Sequence, residues 1–97
     1  MELRATWEPE SEQGFLDYEE RRELPDTAFA FPKQRKEPLL NASHVLRALA
    51  RIQSVRDVND EDRDLAFVNI KKAAEFYGIR VVEADWREVG KKTEIAG

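Results

Sequence analysis

Cysteine is absent from the 97-residue sequence, and histidine occurs only once, at His44. Disulfides and thiolate chemistry are therefore excluded, and a zinc site of the common Cys/His kind has no ligand set. The four glycines, at positions 14, 78, 90 and 97, form no phosphate-binding loop. We identify no catalytic residues, metal ligands or cofactor-binding motif, and predict that the protein is not an enzyme.

Long hydrophobic runs are also lacking, since no unbroken run exceeds four residues, as at Ala28–Phe31. A helix that crosses a membrane needs about 20 apolar residues, so we expect no contact with a membrane. The acidic N-terminus has no apolar core of the kind found in signal peptides. Together with the absence of cysteine, this predicts a cytoplasmic protein.

Charge is plentiful but unevenly distributed. The sequence has 20 acidic and 16 basic residues, a net charge of −4, and residues 1–23 alone contain eight acids and three bases. We predict an acidic N-terminal arm over residues 1–23, which either docks through its aromatic side chains or stays loose. A single small domain over residues 24–89 and a polar tail over residues 90–97 complete the predicted organisation.

The segment Asn59–Gly78 carries the clearest helix signals. Asn59 is a good N-cap, and three acidic residues follow it in the first turn, where the helix dipole favours negative charge. Gly78 suits the left-handed position after the last turn, and Ile79 is placed to pack back onto that turn. The sequence therefore predicts a helix over residues 60–77.

The apolar residues of this helix form two stripes at 100° per residue. The first stripe consists of Ala66, Ile70, Ala73 and Tyr77, and the second of Leu65, Val68 and Phe76. Two stripes predict contacts on two sides of the helix. Either the helix is sandwiched within the domain, which we favour, or one side is kept for a partner.

A shorter helix is predicted before it, from the N-cap Asn41 through Val55. The connection to the next helix is short, so the two should form an antiparallel hairpin. The predicted seam between them consists of Val45, Leu49, Ile52, Ala66, Ile70 and Tyr77.

Extended chain is predicted on either side of this helix pair. Residues 28–31 alternate small and aromatic side chains and can pair loosely with residues 36–39. Residues 79–82 are apolar and extended, and residues 84–89 can form a helical turn. The predicted fold is mainly α: the helix hairpin packs against an extended N-terminal segment, which can form a short β-hairpin, and a short C-terminal strand or helix.

A series of short motifs runs through this region: Leu24-Pro25-Asp26, Phe29-Ala30, Pro32, Arg35-Lys36, Pro38-Leu39, His44-Val45, Ala48-Leu49-Ala50, Arg63, Ile70, Ala73-Ala74 and Gly78-Ile79. The ordered set, over about residues 24–80, resembles an uncharacterised domain family of bacterial and phage proteins. The resemblance implies a bacterial or phage-related origin. It implies no catalytic residues, because no activity is assigned to that family.

Two candidate sites, at His44 and at residues 57–62, lack the residues that catalysis or metal binding would need. His44 lacks partners for a metal or nucleophile site, and we interpret it as a residue of the first helical turn that bonds the extended segment before it. Residues 57–62 hint at a calcium loop, but the sixth position is Asp62 rather than glycine and the twelfth is Val68 rather than glutamate. An acidic helix N-terminus explains the same residues.

The most informative charged set lies between residues 33 and 56, where six bases accompany one acid, Glu37. The bases are Lys33, Arg35, Lys36, Arg47, Arg51 and Arg56. If the basic turn folds near the first helix, they form a positive face that could contact nucleic-acid phosphates. The same face could receive the acidic arm of the chain itself or an acidic protein partner, or it could be an ordinary solvated surface.

We expect the protein to be a non-enzymatic protein–protein interaction module, with self-association as one form of that interaction. The expected contact residues are Phe29, Phe31, Leu65, Val68 and Phe76. The alternative is a nucleic-acid-binding accessory domain that uses the basic face. No cofactor and no small-molecule substrate are expected.

Overall fold

Two helices and a two-stranded antiparallel sheet make up the fold in the computed structural model, which describes residues 3–10 and 23–89. The elements are β1 (Phe29–Phe31), β2 (Lys36–Pro38), α1 (Ala42–Arg51) and α2 (Asp60–Tyr77), with short 3-10 turns at Asp26–Ala28 and Trp86–Glu88. The prediction of a mainly α fold is thus confirmed only in part. Most of the predicted acidic arm, residues 11–22, and the predicted tail, residues 90–97, lie outside the described residues.

Helix α2 begins and ends as the sequence predicts. The side chain of Asn59 accepts a hydrogen bond from the backbone N–H of Asp62, and Asp62 accepts one in return from the backbone of Asn59, which forms a capping box. At the other end Gly78 is left-handed, with φ of 77°. The N–H of Ile79 then donates to the carbonyl of Ala74 at 2.7 Å, which closes the last turn.

Helix α1 begins at the predicted N-cap but is shorter than predicted. Asn41 accepts a hydrogen bond from the backbone N–H of His44, as expected of a cap. The helix ends at Arg51 rather than at Val55. The carbonyl of Arg51 accepts from the N–H groups of both Ser54 and Val55, so the chain tightens into a turn at this point.

Strands β1 and β2 pair with Phe29 opposite Pro38 and Phe31 opposite Lys36, which confirms the predicted pairing. All three residues of β1 are buried, and the strand packs on α2. The helices α1 and α2 pack on each other through the predicted seam, in which Val45, Ile52, Ala66 and Ile70 are buried and Leu49 and Tyr77 are half-buried. Helix α2 therefore contacts both α1 and the sheet, although Phe76 of its second apolar stripe is largely exposed.

The N-terminal segment 3–10 is joined to this core through Trp7 and Asn69. Trp7 is 1% exposed, and its ring N–H donates to the carbonyl of Leu39 at 3.1 Å. The side-chain oxygen of Asn69 accepts from the backbone N–H groups of Thr6 and Trp7, at 2.7 and 2.9 Å. Its side-chain nitrogen donates to the carbonyl of Ala30 at 2.9 Å. We call these four residues, Thr6, Trp7, Asn69 and Ala30, the core clamp.

The C-terminal segment contains no strand within the described residues 79–89, but it does contain the predicted turn. The ring N–H of Trp86 donates to the carboxylate of Asp64 on α2 at 2.8 Å. Asp85 caps the turn by accepting from the backbone N–H of Arg87, and this hydrogen bond holds the pKa of the Asp85 carboxyl below its usual value. In the part of the chain that the structure describes, no helix is both long and apolar enough to cross a membrane.

Candidate functional site

A groove of about 560 Å³ lies between the sheet and the end of α1. Five bases and one acid line it together: Arg35, Lys36, Arg47, Arg51, Arg56 and Glu37. Its remaining lining comes from Phe29, Pro38, His44, Ser54 and Val55. We call this surface the basic groove.

Three parts of the chain contribute the basic side chains of the groove. Arg35 and Lys36 come from the turn and strand β2, and Arg56 comes from the loop that follows α1. Arg47 and Arg51 are four residues apart on α1, so they lie on one face of that helix. The groove therefore forms only because the sheet packs beside the C-terminal half of α1.

Two of the bases are held by contacts within the domain. The guanidinium of Arg35 bonds the carboxylate of Asp26 at 2.7 Å and the carbonyl of Leu24 at 2.8 Å, and it lies 4.8 Å from the centre of the Phe29 ring. The ammonium of Lys36 donates to the carbonyl of Arg56 at 2.6 Å. These contacts fix the positive charges at one side of the groove.

Arg47 and Arg56 differ from the other three bases. Both side chains are exposed, and the structure gives neither a hydrogen bond nor an ion pair within residues 3–10 and 23–89. Arg51 is intermediate, because it contacts Glu37 at 3.5 Å while more than half of its side chain stays exposed. The groove thus presents guanidinium groups that are available to an external anion.

The backbone around the groove is unusual. Three residues other than glycine have positive φ among the described residues, namely Arg35 and Glu37, both at 54°, and Asp57 at 61°. Arg35 and Glu37 line the groove, and Asp57 directly follows Arg56. Left-handed backbone at such residues costs free energy and tends to be found at functional sites.

The structure therefore brings together five of the six bases that the sequence grouped. Lys33 is the exception, because it does not line the groove. Its ammonium lies 3.7 Å from Asp62 at the start of α2, where Gln34 also donates to the same carboxylate. The acidic first turn of α2 draws this part of the basic turn away from the groove.

His44 occupies the place that the sequence predicts. It is the third residue of α1, and its Nδ1 accepts a hydrogen bond from the backbone N–H of Leu40 at 3.2 Å. The imidazole thereby joins the helix to the extended chain before it. Within residues 3–10 and 23–89, no group of three or more histidine or acidic side chains could hold a metal ion.

The predicted protein-binding residues fall in different environments. Phe29 and Phe31 are 2% and 1% exposed. Phe31 belongs to the main core around α2, whereas Phe29 packs in a smaller cluster with Ala28 and Leu40. Leu65 and Val68 are half-buried. Phe76 is 58% exposed and packs edge-on against Trp7 at 5.8 Å between ring centres. Of the five, only Phe76 presents a largely exposed apolar side chain.

Two residues have structural roles that were not predicted from the sequence: Asn69, and Arg63, which was noted only as part of the motif series. Asn69 stands inside the apolar pattern of α2, where an asparagine is ordinarily unfavourable, and this is the signal that could have identified it. Arg63 donates to the carbonyls of Ile52 and Val55, at 2.9 and 2.8 Å, and so satisfies the end of α1. Both residues hold the fold together, and neither lines the basic groove.

One known protein family matches most of this chain. A family profile matches residues 11–84, which extends the resemblance beyond the predicted residues 24–80 and into the predicted arm. Comparison with curated proteins and with solved structures gives no match. The profile that matches is described as a family of unknown function, DUF6582, which confirms the resemblance to an uncharacterised family.

Proposed function

The chain belongs to the DUF6582 family of unknown function, and for this member we propose a non-enzymatic interaction module that binds an acidic segment of a partner protein in the basic groove. The observation that carries this proposal is the groove itself. It gathers five bases around one acid on a protein whose net charge is −4.

Charge complementarity supports an anionic partner. The side chains of Arg47 and Arg56 are exposed and have no partner among the described residues, so binding of a carboxylate would break no contact of either guanidinium. Arginine also suits carboxylates, because its planar guanidinium can donate two parallel hydrogen bonds to one group. Arg51 can join them, since its contact with Glu37 leaves most of its side chain exposed.

The rest of the molecule favours a protein segment over nucleic acid. The calculated isoelectric point is about 5.1, whereas domains that bind nucleic acid are commonly strongly basic. The negative field outside the groove would repel a long polyanion. The lining also includes Pro38 and Val55 beside the charged groups, and such a mixed surface suits a peptide that carries both acidic and apolar side chains.

The basic groove supports this role better than the aromatic surface does. Phe31 is buried and does not line the groove, and Phe29 could contact a ligand only as part of the groove lining, because its side chain is 2% exposed. Leu65 and Val68 remain candidates only as half-buried neighbours of Phe76. The interaction surface that we propose is therefore the groove, and the exposed part of α2 is secondary.

Fluorescence anisotropy with labelled peptides tests the proposal. The first probe is a peptide of alternating glutamate and leucine, about eight residues long, which spans roughly 27 Å when extended. A second probe replaces each glutamate by glutamine. Wild-type protein should bind the acidic probe and not the glutamine probe, and moderate salt should weaken the binding.

The double variant Arg47→Gln with Arg56→Gln should lower the affinity for the acidic peptide about tenfold, because two charge-assisted contacts are lost. The matched control is Lys72→Gln with Arg80→Gln, which removes the same charge from exposed positions outside the groove. The control should bind like the wild type. Equal losses in both double variants would mean that net charge alone drives binding, and the groove would not be the site.

Labelled single-stranded DNA tests the alternative. Nucleic-acid binding would give an affinity that falls steeply with salt concentration, with a slope set by the number of phosphate contacts. Tighter binding of this probe than of the acidic peptide would contradict a protein partner. It would assign the groove to nucleic acid instead.

A further inference from the structure

Glu37 is the one acid among the residues that line the basic groove. Its side chain is only 14% exposed, and its carboxylate lies 3.5 Å from the guanidinium of Arg51. A half-buried carboxylate surrounded by five bases lowers the positive potential of the groove at one defined position. Any ligand that fills the groove must therefore meet a negative group as well as several positive ones.

The backbone at Glu37 indicates that this position is not an ordinary surface residue. Glu37 stands in the middle of β2 with φ of 54°, in the left-handed region. Glycine or asparagine fits this conformation better than glutamate does. The chain nevertheless places a carboxylate here, between Lys36 and Pro38, both of which also line the groove.

The carboxylate of Glu37 has opposite effects on a nucleic acid and on a peptide that carries a basic side chain. A nucleic acid carries one negative charge on every backbone unit and has no positive group to place beside a carboxylate. A peptide can alternate acidic and basic side chains, so it can direct carboxylates at Arg47 and Arg56 and an ammonium or guanidinium at Glu37. Like charges at close range disfavour one partner while opposite charges favour the other, which is how charged interfaces achieve specificity.

We propose that Glu37 is the specificity-determining residue of the basic groove, and that it selects an acidic protein segment carrying one lysine or arginine. This inference rests on the proposed function, since it specifies the partner of the same groove. The acidic side chains of the segment bind the arginines, and its single base binds the carboxylate of Glu37. The same carboxylate weakens the binding of purely anionic ligands without abolishing it.

Three labelled probes test this inference: the acidic glutamate–leucine peptide, the same peptide with one central lysine, and single-stranded DNA. Wild-type protein should bind the lysine-containing peptide most tightly and DNA least tightly. In Glu37→Gln, the affinities for the purely acidic peptide and for DNA should each rise about fivefold, which is the effect of removing one partly exposed like charge. The advantage of the lysine-containing peptide should disappear.

A second variant shows whether a change in affinity comes from the lost charge or from a folding defect. Glu37→Asn also removes the charge, and asparagine tolerates the left-handed backbone better than most residues. Glu75→Gln is the matched control, because it makes the same change at an exposed position of α2 outside the groove. Thermal unfolding of each variant should show that it is folded before affinities are compared.

The outcomes separate this inference from the proposed function. If both Glu37 variants keep the wild-type ratio of affinities for the two peptides, Glu37 does not set specificity. The groove would still be the site if the arginine double variant lost binding. If wild-type protein bound no peptide, or bound DNA most tightly, both the proposed function and this inference would be wrong.

Discussion

The core clamp and the basic groove both contain polar side chains, but they use them in opposite ways. In the clamp, the amide of Asn69 is fully buried, and both its oxygen and its nitrogen have partners at 2.7 to 3.0 Å. In the groove, the guanidinium groups of Arg47 and Arg56 are exposed and have no partner within the described residues. Polar groups that a fold needs are satisfied inside it, whereas unpaired polar groups at a concave surface are available to a ligand.

Mutations in the two regions should therefore have different effects on the stability of the fold. Removal of a partner in the clamp leaves other buried polar groups without hydrogen bonds, which is costly. Removal of an exposed guanidinium leaves only a solvated surface, which is nearly neutral for stability. Variants in the clamp should therefore lower the free energy of unfolding, and variants in the groove should lower affinity alone.

The largest expected effect is on stability, from Trp7→Ala. The ring of Trp7 is buried beside Phe76 and Tyr77, so its removal leaves a cavity and also frees the carbonyl of Leu39. The free energy of unfolding, measured with urea, should fall by about 4 kcal/mol. Phe76→Ala is the control, since that aromatic ring is mostly exposed and its loss should cost about 1 kcal/mol or less.

A loss below about 1 kcal/mol in Trp7→Ala would contradict this picture. It would mean that the N-terminal segment is dispensable for the fold. The clamp would then be a peripheral contact, and its comparison with the groove would lose its basis.

Asn69→Leu should have the next largest effect, a loss of about 3 kcal/mol. Leucine has a similar size, but it leaves the N–H groups of Thr6 and Trp7 and the carbonyl of Ala30 without their partner. Urea unfolding again provides the measurement. Lys72→Leu introduces the same side chain on an exposed face of α2 and should change stability little. Similar losses in both variants would show that the amide is not what matters at position 69.

The sequence predicted the parts of this fold that depend on local chemistry. The caps at Asn41, Asn59 and Gly78 are confirmed, because capping involves residues within one turn of each other. The pairing of β1 with β2 is confirmed for the same reason, since only a short turn separates the strands. These elements could be predicted without knowing how distant parts of the chain pack together.

The parts that the sequence did not reveal depend on contacts between distant residues. Asn69 bonds Thr6 and Trp7, which are more than 60 positions away. Its place in the apolar pattern of α2 marks it as unusual, but nothing near it in the sequence identifies these partners. The burial of Phe31 in the main core, and of Phe29 beside Leu40, likewise depends on tertiary packing. The basic groove was partly predictable, because the clustering of basic residues is visible in the sequence. The contact of Lys33 with Asp62, away from the groove, is evident only in the folded structure.

The groove double variant, Arg47→Gln with Arg56→Gln, should have a small effect on stability. Its free energy of unfolding should stay within about 0.5 kcal/mol of the wild type, although its affinity for the acidic peptide falls about tenfold. The same urea titrations provide the measurement. A loss comparable to that of Asn69→Leu would show that the arginines support the fold, and the contrast between the two regions would fail.

The smallest effect at neutral pH is expected for Tyr77→Phe, beside the clamp. The hydroxyl of Tyr77 is buried and has no hydrogen-bond partner among the described residues, so its removal should change stability by about 0.5 kcal/mol or less, or slightly increase it. Burial, and then the negative charge of Glu10, raise the pKa of Tyr77 above its ordinary value of 10.0.

A raised pKa means that the folded protein keeps this proton to a higher pH than the unfolded chain does. The corresponding stability is complete below about pH 10 and is lost as pH rises through the raised pKa of the folded state. Above about pH 10, wild-type stability should therefore fall more steeply than that of Tyr77→Phe, since other alkaline titrations are common to both proteins. Parallel curves would show that Tyr77 titrates alike in both states and that this edge of the clamp is open to water.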